Sequence, residues 1–287
     1  MKSARLFAGL ALTALAIAGP AAAQRPAAWT QPYAPFRIID NIYYVGTAGL
    51  SSFLITDRQG HILIDGGLPE SAPIIQDNIR KLGFRLDEVK VIVNSHAHFD
   101  HSGGLAQLKK DTGAVLVSSE GDKGALESGK YLGSEDVRAY DAPPVKVDQV
   151  IKDGQIIGVG EISLAARLTP GHTKGCTTWL TPVRDGPNER LVAFFCSASV
   201  AANRLAPNPQ YPGIVEDYQA TFAKARTIGA DVFLAPHPDQ FDLAAKRAKM
   251  GEGKPNPFVD KAELARRIDA FEADFKVQLA RQQGAAR

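Results

Sequence analysis

Four side chains able to bind a metal ion sit within six consecutive residues, His96-Ala97-His98-Phe99-Asp100-His101, directly after the apolar run Val89–Val93 and the polar pair Asn94-Ser95. Donors this close cannot all reach one tetrahedral ion, because the chain limits their directions. They can serve two neighbouring ions, with His96 and His98 facing one and Asp100 and His101 the other. Each ion then needs a further protein ligand and open positions for water and substrate. Two isolated histidines can supply one ligand each: His172 in Thr169-Pro170-Gly171-His172-Thr173, and His237 after Val232-Phe233-Leu234-Ala235-Pro236. Imidazole and carboxylate without thiolate suit zinc, and the ligand types alone also admit iron or manganese. A purely structural role fits the cluster poorly, since adjacent titratable groups beside a buried strand would repel or go unsatisfied. His61, the remaining histidine, stands alone and reads as a satisfied polar residue of a strand.

Such donors need rigid elements that end beside them, and loops at strand ends are the usual place. Residues 42–45, 52–56 and 61–65 read as strands, with Asp57-Arg58-Gln59-Gly60 as the turn between the last two and Gly66-Gly67 as a stop. The spacing predicts a helix over residues 71–82, with Ile74, Ile75, Ile79 and Leu82 on one face and Gly83 ending it. Residues 89–93 read as a buried strand. Further strands are expected over 162–168, 176–180 and 191–195, and helices over 217–228 and 260–283. The last helix is strongly charged but carries Leu264, Ile268, Phe271 and Phe275 along one face, which suits a surface helix docked by that face. Helices interspersed among strands predict a layered α/β architecture.

The chain has 287 residues, of which 33 are basic and 31 acidic, giving a net charge of +2. Its start reads as an address: Lys2 and Arg5, an apolar stretch over residues 6–18, and the small residues Ala21-Ala22-Ala23 before Gln24. Residues 1–23 are therefore expected to be a signal peptide, and the mature chain to be periplasmic or secreted. Losing Lys2 and Arg5 leaves the charges balanced, so no electrostatic footprint for nucleic acid is expected. No later segment is long and apolar enough for a membrane helix, so no membrane contact is expected after cleavage. Two cysteines, Cys176 and Cys196, are too few for a zinc ribbon or a disulfide scaffold.

The segment HAHFDH resembles the His-x-His-x-Asp-His signature of the metallo-β-lactamase superfamily. The order of Leu63-Ile64-Asp65-Gly66-Gly67, this motif, Thr-Pro-Gly-His and a late His237 is similar to that superfamily over nearly the whole chain after residue 23. The resemblance implies an α/β fold, a four-layer αβ/βα sandwich in which two βα halves form a single domain over residues 24–287, with metals at one edge of the two sheets. It implies two zinc ions per chain, His96, His98 and His172 holding the first and Asp100, His101 and His237 the second. Asp65 is similar to the superfamily's acidic residue beneath the metal loop and would act through the ligands; the bland reading is a residue of a strand-end turn. Each cysteine ends a strand-like segment, and these segments should be neighbours in the second sheet, so a Cys176–Cys196 disulfide is expected, which export permits.

Thioesterases, lactonases, sulfatases and nucleases share the motif, so it alone does not name a substrate. Many of them carry a metal-bridging aspartate where this chain resembles them at Cys196-Ser197, without a carboxylate. Two zinc ions, a hydroxide and Asp100 would leave such a site near about +2, which favours an anionic substrate and an anionic leaving nitrogen. Having both His96 and His101, with Ser197 where another subclass has a ligand cysteine, is similar to subclass B3, as is the stretch over residues 171–179. This resemblance implies a zinc-dependent hydrolase acting on the amide bond of a small-molecule β-lactam antibiotic, through a hydroxide held by the two zinc ions and oriented by Asp100. Ser197 and Ser199 would bind the substrate carboxylate or an ordered water, or else only cap the strand end. Ser102 reads as local polar structure, and loops over residues 120–142 and 204–212 would shape the groove. A lactonase or thioesterase on the same fold is the alternative, and a zinc-binding protein without catalysis a more distant one.

Overall fold

Short apolar strands joined by tight turns open the computed structural model, which describes residues 25–285. β1 (Phe36–Ile39), β2 (Ile42–Tyr44), β3 (Phe53–Asp57) and β4 (Gly60–Ile64) form an antiparallel meander. There follow α1 (Ser71–Lys81), β5 (Val89–Val93), the single turn α2 (Phe99–Ser102), α3 (Leu105–Thr112), β6 (Val115–Ser119), α4 (Glu120–Ser128) and β7 (Gln149–Ile151). The seven strands make one sheet in chain order, in which β4, β5, β6 and β7 run parallel. The second sheet has the order β12-β11-β10-β9-β8, from β8 (Ile156–Val159), β9 (Ile162–Leu168), β10 (Thr177–Asp185), β11 (Asn188–Phe194) and, after α5 (Ile214–Ala225), β12 (Val232–Leu234). α6 (Leu243–Lys249) and α7 (Glu263–Ala285) complete the order. The expected signal peptide lies outside the described residues, among which no helix is long and apolar enough to cross a membrane.

Alternation along the strands sorts the core into two parts. Phe53, Ile55, Ile62, Ile64, Val93 and Val117 pack with Leu164, Ala166, Trp179, Val192 and Phe194 between the sheets. Their neighbours Leu54, Leu63, Ile92 and Leu116 pack instead with Ile75 and Ile79 of α1 and Leu105 and Leu108 of α3. The parallel strands are thus covered on both faces, as such strands require. Beyond the second sheet, Tyr218 and Phe222 of α5 meet Phe275 of α7 at ring separations of 5.0 and 5.5 Å. α7 docks by the expected face, with Leu264, Ile268 and Phe275 buried and Phe271 packed against the core. These are the helix–sheet–sheet–helix layers of the expected sandwich.

Several boundaries differ from the sequence expectation. The helix expected over 217–228 is α5, which begins three residues earlier because Gly213, at φ 86°, turns the chain and Ile214 is buried with Tyr218 and Phe222. The strand expected over 176–180 continues through Pro182 to Asp185. β9 pairs with β10 only as far as Leu180, so Pro182 sits where the strand has a partner on the β11 side alone, a position proline tolerates. β1, β6, β7 and β8 went unexpected, and the segment over 120–142, expected as a loop, opens with α4.

Candidate metal centre

β4 and β5 end side by side, and the chain leaving each is built into one polar core. Asp65 follows β4 in a left-handed conformation, φ 62°, that is uncommon for a residue with a side chain. Three bonds stabilise it: its carboxylate accepts from Ser95 N (2.7 Å), Ser95 Oγ (2.7 Å) and Asn94 Nδ2 (3.0 Å). Burial raises the Asp65 carboxyl pKa, with His101, Ser95 and Asn94 opposing. The second sheet braces the same loop, since Thr177 N donates to Ser95 O (2.8 Å) and Trp179 Nε1 to Asn94 O (3.2 Å).

This bracing settles the tautomer of His96. The Ser95 hydroxyl has one proton, given to Asp65, so Ser95 Oγ accepts from His96 Nδ1 at 3.0 Å. His96 Nε2 is then a bare lone pair, buried and without a hydrogen-bond partner. His172 is fixed likewise, its Nδ1 donating to the Ser199 carbonyl at 2.7 Å. Its loop packs closely: Gly171, at φ 132°, leaves a Cβ no room against the Tyr218 ring. His98 lies flat on Tyr131, with ring centroids 4.5 Å apart. The ligand atoms of His96, His98 and His172 lie within 4.8 Å of one another.

The turn of α2 turns Asp100 and His101 toward His237, which follows β12. His101 Nε2 is 3.2 Å from His237 Nε2 and 3.3 Å from Asp100 Oδ2, and His237 Nε2 is 3.5 Å from Asp100 Oδ2. Two ligands of a tetrahedral zinc ion with bonds of about 2.0–2.1 Å stand about 3.3 Å apart, so this triangle has the size one ion requires. The sets adjoin, with the His96 and His101 ring centroids 4.4 Å apart. The unpartnered buried Nε2 of His96, the triangle and the donor types fit a pair of divalent ions.

The electrostatics agree with that use. Burial pushes His96 and His98 well below the usual imidazole range and His172 down to about 4, with neighbouring imidazoles adding to the effect. Burial and His101 also lower His237. Neutral imidazole is the ligating form. Burial opposes ionisation of Asp100 and His101, but their mutual attraction wins, lowering the carboxyl pKa and raising the imidazole's.

Both sets open on a cleft of 230 Å³ whose walls include Trp29, Phe99, Tyr131, Tyr140, Ser199 and Gln240. Ser197 is buried below the wall, where its Oγ accepts from Ser199 N at 3.3 Å. Ser102 donates to His98 O at 3.0 Å, a local role as expected. Cys176 and Cys196 are joined, with Cα atoms 5.7 Å apart, tying the His172 loop to the Ser197–Ser199 segment. His61 belongs to neither set; it lies near the start of β4, at the end of the strand away from Asp65, its Nδ1 accepting from Asp57 N at 3.4 Å. The open groove beside it is larger, 760 Å³, but among the described residues gathers no set of converging ligand atoms.

Trp29, Tyr131 and Asn203 escaped the sequence reading. Trp29 reaches the His237 ring at 5.9 Å, while Asn203 donates to His172 O (2.8 Å) and accepts from Tyr131 Oη (2.9 Å). No local pattern marks them, because their partners lie far away in sequence.

Comparison with known proteins agrees with this geometry. The profile of the metallo-β-lactamase superfamily matches residues 46–185. A subclass B3 metallo-β-lactamase of Bradyrhizobium japonicum, BJP-1, superposes with a TM-score of 0.89 at 49% identity, covering 91% of this chain and 99% of that one. The native FEZ-1 metallo-β-lactamase of Legionella gormanii gives 0.85 at 36% identity, covering 88% of this chain and 98% of that one. A hydroxyacylglutathione hydrolase of Maricaulis maris is 26% identical over 216 residues, 70% of this chain and 75% of its own length. Strand-end motif, layered sheets and these likenesses agree: the chain belongs to the metallo-β-lactamase superfamily and resembles its subclass B3 structures.

Proposed function

We propose that this chain is an exported, zinc-dependent β-lactamase that hydrolyses the lactam amide of β-lactam antibiotics. The observation that carries it is a pair of adjacent ligand sets at an aromatic cleft, in a chain 49% identical to a subclass B3 metallo-β-lactamase across 99% of that protein. His96, His98 and His172 would hold one zinc ion, and Asp100, His101 and His237 the other. Such a pair supplies Lewis acidity and a water acidified to near-neutral pKa.

The chain's own groups set the rest. Asp100, ionised at neutral pH, accepts a hydrogen bond from the attacking water and aims it into the cleft. Ser199 faces the cleft and donates to an anionic substrate group, with Ser197 holding Ser199 from below. Trp29, Phe99, Tyr131 and Tyr140 give an apolar wall for the body of the substrate. Asp65 acts through Ser95 by fixing the His96 tautomer. Export with removal of residues 1–23, and one domain over residues 24–287, belong to this reading.

Metal-replete protein assayed with a penicillin, a cephalosporin, a carbapenem, an acyl lactone and a glutathione thioester tests it. The expected result is kcat/KM above about 10⁴ M⁻¹ s⁻¹ for at least one β-lactam. The likeness to hydroxyacylglutathione hydrolase supports a second reading, a thioesterase or lactonase. Preference for thioester or lactone would establish that one, and zinc binding with no turnover would reject both.

A further inference from the structure

Asp122, in the first turn of α4, is 2% exposed, and no lysine, arginine or histidine pairs with it among the described residues. A buried carboxylate without a cation is costly unless hydrogen bonds satisfy it. Its donors come from two distant loops. Oδ2 accepts from Ala97 N and from Thr173 Oγ1, both at 2.9 Å, and Oδ1 accepts from Gly175 N at 2.9 Å. Ala97 lies between His96 and His98, and Thr173 follows His172. Two glycines bring the backbones this close: a Cβ on Gly121 would meet Lys174 O at 2.5 Å, and one on Gly175 would collide with Ser119 and Asp122.

We propose that Asp122 is the positioning residue of the first ligand set, one carboxylate clamping the backbone segments that carry His96, His98 and His172. This rests on the metal assignment above. Asp122 bonds no residue of the second set, so its effect is confined to one ion. An amide cannot replace it. Asparagine has a single oxygen, so its NH₂ would face the N–H of Gly175 or of Ala97, leaving one buried donor opposed by another.

Zinc affinity, read by competition with a chromophoric chelator, tests the clamp. The His237→Ala background leaves only the first set with all its ligands. There, Asp122→Asn should weaken zinc binding by about 10–100-fold, the range for partners that orient ligands. Thr173→Val, which removes one donor and keeps the shape, should weaken it by about 3–10-fold and serves if Asp122→Asn does not fold. Asn78→Ser is the control for a merely structural role. Asn78 Nδ2 donates to Tyr33 O, Val45 O and Gly46 O, remote from the ligands, so its loss should lower Tm and leave zinc affinity unchanged. Unchanged affinity in the foldable Asp122 and Thr173 variants overturns the proposal, as does an equal loss in Asn78→Ser. Because the readout is binding, a parent that binds two zinc ions but cleaves no β-lactam overturns only the reaction. A parent that binds no zinc overturns both.

Discussion

His96, His98 and His172 are three imidazoles held from outside, by Ser95, the face of Tyr131 and the Ser199 carbonyl. Asp100, His101 and His237 are held largely by one another. Asp100 has the two imidazoles as its polar partners, and the His237 contact to Gly49 O is a long 3.4 Å on a side chain 25% exposed. The first set is organised before an ion arrives; the second is drawn together by charge and stands nearer the cleft. A rigid seat suits a metal that must stay, and a looser carboxylate-bearing one suits the place where water and substrate exchange.

The sharpest way to break this contrast is to remove one ligand from each side. His96→Ala should lose the ion of the first set and lower turnover by more than about 1000-fold, even with excess zinc. His237→Ala should keep one zinc ion with affinity within about threefold of the parent's tighter site. Metal analysis after dialysis reads both, and a His237→Ala protein that binds none would show that the first set is not self-sufficient. Asp100→Asn keeps the volume and removes the charge. Turnover should fall by about 100-fold or more, with substrate binding much less affected. Kinetics in excess zinc check this, and near-normal turnover would mean that another group aims the water.

Much of this contrast was legible in the chain because the motif is contiguous: four donors in six residues after an apolar run leave few alternatives. His172 and His237 were legible for a related reason, each being a lone histidine at the end of a strand-like run. What holds the donors was mostly not. Asp122 looks like any acidic residue of a surface loop until the fold brings residues 97, 173 and 175 to it. Trp29 and Tyr131 carried no signal for the same reason. Short β1, β7 and β8 carry too few residues to show a period, and α5 was misplaced because Gly213 was not read as its start.

Removing the Cys176–Cys196 bond should act on stability and spare the ligands. Closing a loop of 20 residues contributes up to about 3 kcal/mol in the chain-entropy model, so the double serine variant should melt about 8 °C lower while binding zinc normally. Mass spectrometry of the parent without reductant checks the bond, and two free thiols would remove it from the account.

A smaller effect separates His101 from the other imidazoles by proton. In metal-free protein, His96, His98, His172 and His237 have lowered folded-state pKa values, so the unfolded chain binds more protons below the usual 6.5. Stability should therefore fall as pH drops from about 6.5 toward 4. Asp65, Asp122, Asp217 and Glu263, raised by burial, Asp122 to about 6, pull the other way over part of that window, and His101, itself raised, acts above it. The imidazole share is read as Tm against pH in the parent and in imidazole variants. Removing His172 as His172→Gln should flatten the slope more than removing His101.

The most direct measurement is a zinc titration of metal-free protein with β-lactam turnover followed at each step. Two ions should bind, the first without full activity and the second bringing turnover to its plateau. Full turnover at one ion per chain, or two bound ions with no β-lactam hydrolysed, would contradict the account.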